Sequence, residues 1–176
     1  MTKTTLALFL KLASSGDLLS TGVQTVMAKA AQSVPRGAYP GSLNNPGNMR
    51  DYGIKWKGAV KPGSRYGRFI QFDTPQNGAR AVSRNLTTLG TKRGIPFTIR
   101  DVMSKYSPKT ENNLARHVKN ISAISNLPPD KVLDPKNTGQ MVDLLRGVIG
   151  AESGQRTLNW FRPVELTNAV LRARQP

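Results

Sequence analysis

Apolar residues recur at helical spacing in successive segments between residues 74 and 174, and this periodicity constrains the fold more than any other feature of the sequence. In the first segment Thr74 is a suitable N-cap, Pro75 fits the first helical position and Gly90 is a natural stop. The apolar residues between them lie on one helical face: Ala79, Val82, Leu86 and Leu89. The segment therefore predicts an amphipathic helix with one buried side.

The next two segments show the same signals. Thr98, with Asp101 three residues further on, predicts a capped helix start, and Pro108 ends that helix. Thr110 is expected to open the third helix, which the LPP sequence at 127–129 closes. The apolar stripe of this third helix is Leu114, Val118, Ile121 and Ile124.

A fourth helix is predicted for residues 139–152 and a fifth from Pro163 to about Arg174. The apolar side of the fourth helix is Met141, Leu144, Leu145, Val148 and Ile149. Ahead of all the helices, the runs IKWKGAV (54–60) and YGRFIQF (66–72) are rich in aromatic and β-branched residues. The sequence KPGSR joins them, which predicts a small β-hairpin. The fold class is therefore α+β and mostly α.

The segment from residue 33 to residue 48 is dense in Pro, Gly, Ser and Asn, a composition typical of irregular loop. It separates an N-terminal helical arm, predicted for residues 1–32, from a single domain predicted for residues 33–176. The arm can be interpreted as a docking or membrane-touching amphipathic helix or as a short signal peptide. No apolar run approaches the roughly 18 residues that cross a membrane, so no transmembrane segment is predicted.

Charge and composition limit the kinds of partner and the kinds of site that are expected. The chain has 26 Lys and Arg against 10 Asp and Glu, a formal net charge of +16, which favours anionic partners such as cell-wall polymers, nucleic acid or anionic lipid. The absence of cysteine excludes disulfides and thiol nucleophiles, and the single histidine, His117, excludes multi-histidine metal sites. No metal and no cofactor are therefore predicted. His117 lies beside the apolar stripe of the third helix, where packing is its expected role.

The stretch NNPGNMRDYGIKWKG, residues 44–58, is too polar for a core and too rich in special residues for a plain linker. Side-chain amides hydrogen-bond N-acetyl groups, and flat aromatic rings stack on pyranose rings, so this composition suits sugar binding. A structural turn with aromatic residues over a small core is the alternative. The candidate sugar-binding residues are Asn44, Asn45, Asn48, Tyr52, Trp56 and Tyr66.

The motifs NNPGNMR, WKG, YGRFIQFDTPQNGARAV, YSPKTENN and AESG, in this order over residues 43–154, resemble those of a group of bacteriophage virion proteins. The hairpin portion is also similar to lysozyme-like peptidoglycan hydrolases, notably bacterial glucosaminidases, in which such a segment forms one wall of the glycan cleft. The sequence LLRGVIGAESG (144–154) resembles the helix end of lytic transglycosylases, where serine follows the catalytic glutamate. In those enzymes the glutamate precedes the hairpin segment, whereas here it would follow it. The resemblance therefore implies a circularly permuted lysozyme-like domain.

Two glutamates are candidates for the catalytic residue. Glu152 continues the buried stripe of the fourth helix and lies at the negative end of the helix dipole. Both features disfavour an ionised carboxylate, as suits a group that protonates a glycosidic oxygen. A glutamate turned outward to solvent is the alternative. Glu111 directly follows Thr110, where the helix dipole favours an ionised carboxylate, so a structural role suits it better.

The favoured function is that of a virion-associated enzyme, a lytic transglycosylase or muramidase, which cleaves the β-1,4 glycan of peptidoglycan at the host cell wall by glutamate acid–base catalysis. One alternative is a non-catalytic structural or internal virion protein of the same fold, which contacts other virion proteins. The absence of any glutamate before Asn44 favours it. The other is a basic DNA-associated virion protein, which the charge of +16 favours. Against the latter, no helix-turn-helix, zinc-finger or RNA-recognition signature is present in the sequence.

Overall fold

The computed structural model describes residues 43–60, 69–91, 96–107 and 113–175. These ranges contain five helices: α1 (Pro75–Thr91), α2 (Ile99–Tyr106), α3 (Leu114–Ser125), α4 (Thr138–Leu158) and α5 (Pro163–Ala173). The prediction of a mostly α fold is confirmed for these ranges. None of the described helices is long and apolar enough to cross a membrane. The predicted arm lies outside the described residues, so the division into residues 1–32 and 33–176 stays a prediction.

The first two helices begin at the predicted caps. Thr74 Oγ1 accepts a hydrogen bond from the Asn77 N–H at 3.2 Å, directly before Pro75 at the first position of α1. Thr98 Oγ1 accepts from the Asp101 N–H at 3.1 Å at the start of α2. Local capping chemistry is therefore enough to place both helix starts. The predicted apolar face of α1 is buried at Ala79, Val82 and Leu86 and partly buried at Leu89.

The third helix begins later than predicted. Its N-cap is Asn113, whose Oδ1 accepts a hydrogen bond from the Arg116 N–H at 3.1 Å, and Leu114 is its first residue. The prediction that Thr110 opens this helix is wrong. The sequence TENN offers several capping residues in a row, and the one that caps directly precedes the first residue of the apolar stripe.

The longest helix, α4, begins one residue before the predicted start. Asn137 caps it, and its Oδ1 accepts a hydrogen bond from the Gln140 N–H at 3.1 Å. Regular helical geometry stops at Gly154, whose φ of 81° and ψ of 163° belong to a region that glycine alone adopts without strain. Glu152 consequently lies in the last turn of the regular helix. The predicted apolar stripe is buried at Met141, Leu144, Leu145, Val148 and Ile149.

The helices pack around α4, which contacts α1, α3 and α5. α1 also packs against α5, and α2 packs against both α1 and α3. α3 and α4 approach closely at Gly147, where a Cβ would lie 2.8 Å from the carbonyl oxygen of Ile121. A larger residue would push the two helices apart, so this glycine holds α3 beside the last turns of α4.

The described chain before α1 has irregular backbone. Residues 43–60 and 69–73 contain two isolated antiparallel bridges and no strand. The bridged pairs are Arg50–Phe69 and Ala59–Phe72. Residues 69–72 are therefore paired with two separate parts of the preceding chain. The connection predicted at 61–65 lies outside the described residues, so the β-hairpin stays a prediction.

Candidate active site

Asparagines shape the loop of residues 43–50. Asn44 and Asn48 adopt left-handed backbone conformations, with φ values of 52° and 50°, which asparagine tolerates better than most residues. Asn45 is only 2% exposed. Its Nδ2 donates to the carbonyl oxygens of Met49 and Ile70, both at 2.9 Å, and its Oδ1 accepts from the Met49 N–H at 2.9 Å. One buried amide thus joins the loop to itself and to the segment that precedes α1.

Two of the predicted sugar-binding residues are used to build this loop. The amide of Asn45 is bonded to backbone groups on both its oxygen and its nitrogen. Asn44 Nδ2 donates to the carbonyl oxygens of Phe72 at 2.9 Å and Asp73 at 3.2 Å. Neither asparagine lines the cavity that the loop borders. The structure thus assigns both amides a part in building the loop, and contact of Asn44 and Asn45 with a sugar stays a prediction.

The loop closes on the end of α4. Asn48 Nδ2 donates to the main-chain carbonyl oxygen of Glu152 at 2.8 Å, and Ser153 Oγ donates to the carbonyl oxygen of Pro46 at 2.7 Å. Carbonyl groups in the last turn of a helix lack intrahelical partners, and Asn48 provides a partner for one of them. These two bonds fix the loop against the turn that carries the Glu152 side chain.

Gly47 allows the loop to approach α1 and α2. A Cβ at this position would overlap the hydroxyl of Tyr106 and a methyl group of Val82. The Tyr106 hydroxyl donates to the carbonyl oxygen of Gly47 at 2.6 Å. Burial raises the pKa of Tyr106 well above its ordinary value, and the negative charge of Glu152 raises it further. The phenol is therefore protonated at neutral pH and remains a hydrogen-bond donor to the loop.

A cavity of about 640 Å³ opens between this part of the chain and the helices. Its lining residues are Asn48, Met49, Arg50, Tyr52, Ile54, Trp56, Phe69, Asn85, Tyr106, Ser107, His117, Ala151 and Glu152. The irregular segments contribute most of the aromatic and aliphatic side chains, whereas α1 to α4 contribute mainly polar ones. The volume falls in the range of cavities that bind small ligands.

Glu152 and His117 form the polar centre of this cavity. Oε1 of Glu152 lies 3.0 Å from Nε2 of His117, and the two side chains are 12% and 10% exposed. The Nε2 atom is buried, and no acceptor is aligned with it as a directed hydrogen bond requires, so the contact is a close polar pair. Asn48 Nδ2 lies 3.4 Å from the other carboxylate oxygen of Glu152. Among the described residues that line the cavity, Glu152 is the one acidic side chain.

Aromatic and aliphatic side chains from the irregular segments also line the cavity. Tyr52 and Ile54 are strongly exposed at its rim, whereas Trp56 is half-buried and packs against the core. Large apolar side chains that are exposed together beside a cavity commonly mark a binding surface. The cavity therefore combines flat and apolar groups with a carboxyl group.

The structure brings four of the predicted site residues into one cavity: Asn48, Tyr52, Trp56 and Glu152. Tyr66 and Glu111 lie outside the described residues, so nothing is added to their predicted roles. The contact of His117 with Glu152 was not predicted from the sequence. Its signal is the spacing, because His117 follows Leu114 by three residues and precedes Ile121 by four, on the face of α3 that packs toward α4.

No protein-family model and no curated protein sequence matches this chain. The side chains that meet in the cavity and the resemblance of the motifs are therefore what indicates a function.

Proposed function

We propose that this protein is a virion-associated enzyme that cleaves the β-1,4 glycan strand of peptidoglycan when a phage enters its host. The observation that carries the proposal is the position of Glu152, whose carboxyl group lines the cavity from the last turn of a buried helix. An aromatic and amide-bearing segment borders the same cavity. A lysozyme-like domain in which this helix follows the loop, as circular permutation would produce, is consistent with the mostly helical fold and with the order of the motifs.

The proposed chemistry uses one carboxyl group twice. Protonated Glu152 gives its proton to the glycosidic oxygen as the bond from that oxygen to C1 breaks, and the 4-hydroxyl of the next sugar leaves. The resulting carboxylate stabilises the positive charge on the sugar ring. It then takes the proton of the C6 hydroxyl as that oxygen attacks C1, which closes a 1,6-anhydro ring and restores the acid. A water molecule in place of the C6 hydroxyl gives hydrolysis instead.

The single carboxyl group supports the first of these routes. Enzymes that hydrolyse glycosidic bonds with two carboxylates need the second one within reach of C1. The described lining residues contain no acid besides Glu152, and Asp51 is exposed and does not line the cavity. We therefore favour transglycosylase chemistry over hydrolysis at this site.

Substrate contacts follow from the other lining residues. Asn48 lines the cavity beside Glu152 with its amide nitrogen bonded to the Glu152 carbonyl, and Trp56 and Tyr52 offer flat faces on which sugar rings stack. The net charge of +16 would hold the protein on the anionic wall. No cofactor or metal takes part in this mechanism.

A second candidate is a non-catalytic virion protein that binds glycan or other virion proteins through the same fold. The contact between Glu152 and His117 favours it, because a carboxyl group that is only 12% exposed and contacts a histidine also suits a structural link between helices. The second candidate predicts that the protein binds peptidoglycan or virion components without releasing products.

The test is to incubate the purified protein with peptidoglycan sacculi and to identify the soluble products by mass spectrometry. Anhydro-muropeptides would support transglycosylase chemistry, and reducing ends would support hydrolysis. Sedimentation with sacculi without soluble products would overturn the enzymatic proposal and favour the second candidate. Sedimentation is measured in parallel at low and high salt with sacculi and with duplex DNA. Salt-sensitive retention on DNA without retention on sacculi would favour a DNA-associated protein instead.

A further inference from the structure

The polar pair at the centre of the cavity includes a histidine that the proposed mechanism does not use. His117 lies one turn before Ile121, at which α3 and α4 come together over Gly147. This histidine lines the cavity, and its buried Nε2 atom lies 3.0 Å from Oε1 of Glu152. Apolar packing alone does not account for a carboxylate oxygen at that distance from the ring.

Two elements hold the Glu152 side chain from different directions. His117, from α3, contacts Oε1 at 3.0 Å, and Asn48, from the loop, lies 3.4 Å from Oε2 and bonds the main-chain carbonyl of the same residue at 2.8 Å. Each carboxylate oxygen thus has a polar neighbour from a separate part of the chain. A glutamate has three rotatable side-chain bonds, so these neighbours restrict where its carboxyl group can lie.

We propose that His117 is a positioning residue, which fixes the Glu152 carboxyl group at the place in the cavity where it can reach a bound glycan. This inference rests on the proposed function for its catalytic consequence, but the contact itself is a property of the unliganded protein. Without a polar group at position 117, Oε1 would lose the polar neighbour that lies 3.0 Å away in a largely buried place. The carboxyl group would then turn toward water or toward Asn48, away from its productive position.

The catalytic consequence is tested with two substitutions of different chemistry. His117→Gln keeps a nitrogen donor near the position of Nε2 and should retain most of the turnover. His117→Leu keeps the bulk but removes the polar group, and it should lower kcat by up to about 100-fold, since small displacements of a catalytic group have effects of this size. KM should change by less than about twofold, because the polar Nε2 atom is buried against Glu152 and is not exposed for a contact with substrate. Equal kcat in His117→Leu and the unaltered protein, or equal losses in both variants, would overturn the proposal.

The contact is tested without any activity measurement. The chain has one histidine, so the nitrogen signals of its imidazole ring in a ¹H–¹⁵N NMR spectrum need no further assignment. Glu152→Gln should change those ring signals. Asp143→Asn, the matched acid-to-amide change elsewhere on α4, should leave them in place, since Asp143 does not line the cavity.

The two readouts separate failure of this inference from failure of the proposed function. If Glu152→Gln leaves the ring signals unchanged, the positioning role is overturned, whether or not the protein releases products from sacculi. Ring signals that respond, in a protein that releases nothing from sacculi, would uphold the contact and overturn the enzymatic proposal alone. Circular dichroism of each variant checks that the helices are intact.

Discussion

The two sides of the cavity are built in different ways. On the helical side, α1 to α4 present side chains at regular spacing, and the stripes beneath those side chains are almost completely buried. On the other side, residues 43–60 and 69–73 have irregular backbone with two isolated bridges. A few side-chain amides and hydroxyls hold this second side in place.

The difference shows on which side the loss of a single residue has a large effect on stability. In the helical side the stabilising free energy is distributed over many apolar contacts and backbone hydrogen bonds, so one polar contact at its surface adds little. In the loop side individual polar groups take the place of regular secondary structure, and their loss leaves buried backbone groups without partners. The carboxyl group proposed as the catalytic acid, Glu152, lies where the two sides meet, since it is close both to Asn48 of the loop and to His117 of α3.

The largest expected effect is on activity at that meeting point. Glu152→Gln removes the titratable proton and keeps the shape, so the release of muropeptides from sacculi should fall by about 10²–10⁴-fold. Asp143→Asn is the matched control on α4 and should keep full activity. If both variants lyse sacculi at the same rate, the cavity is not the active site, and the difference between its two sides is unrelated to catalysis.

The next effect is on stability. Asn45→Ala removes three hydrogen bonds to backbone groups at a position that is 2% exposed, so the free energy of unfolding should fall by about 2–4 kcal/mol. Urea unfolding followed by circular dichroism measures the change. Asn159→Ala is the control, because that asparagine is exposed and should matter much less. Equal losses in the two variants would mean that the buried amide does not hold the loop.

A smaller effect is expected on binding. Trp56→Ala should weaken the binding of chitin oligomers about five- to tenfold, since one aromatic stacking contact contributes on the order of 1 kcal/mol. The melting temperature should stay within a few degrees. Trp160→Phe is the control, because Trp160 packs against the core and does not line the cavity. If Trp56→Ala unfolds the domain, this indole is part of the core and the loop side binds by other groups.

The smallest effect concerns an ion pair at the exposed surface of the helical side. Arg100 Nε lies 2.6 Å from Asp130 Oδ1, and this guanidinium lowers the pKa of Asp130. Because the folded pKa is the lower one, the contribution of the pair is present at neutral pH and is lost as the pH falls through it. Thermal melts of Asp130→Asn at pH 7 should differ from the unaltered protein by about 2 °C at most. If Asp130→Asn destabilised the protein more than Asn45→Ala does, single polar contacts would matter more on the helical side than on the loop side.

The helical side could be predicted well because its signals are local. Capping residues such as Thr74 and Thr98, and apolar stripes of period 3.6, act within one helix and are visible in its sequence alone. The same periodicity led to Glu152, which continues the stripe of α4 up to the break at Gly154. The predicted start of α3 was wrong because Thr110 and Asn113 are both good capping residues, and only the start of the apolar stripe distinguishes them.

The loop side could not be predicted residue by residue. Asn45 and Asn48 carry the same amide, yet one bonds the loop backbone from inside and the other lines the cavity. What separates them is the direction of each side chain, and that depends on partners far along the chain, including Ile70 and Glu152. The contact of His117 with Glu152 was missed for the same reason, since the packing of α3 on α4 creates it.

The bond from Asn48 to the end of α4 spans 104 positions of the chain, which has a consequence for biosynthesis. At about 5–20 residues per second, a ribosome adds Glu152 roughly 5–20 seconds after Asn48. Contacts of such long sequence separation form late in folding, because the intervening chain must be ordered first. The nascent chain therefore carries the aromatic loop for seconds without the acid that faces it. The cavity is complete only after the turn of α4 that carries Glu152 has been synthesised and packed.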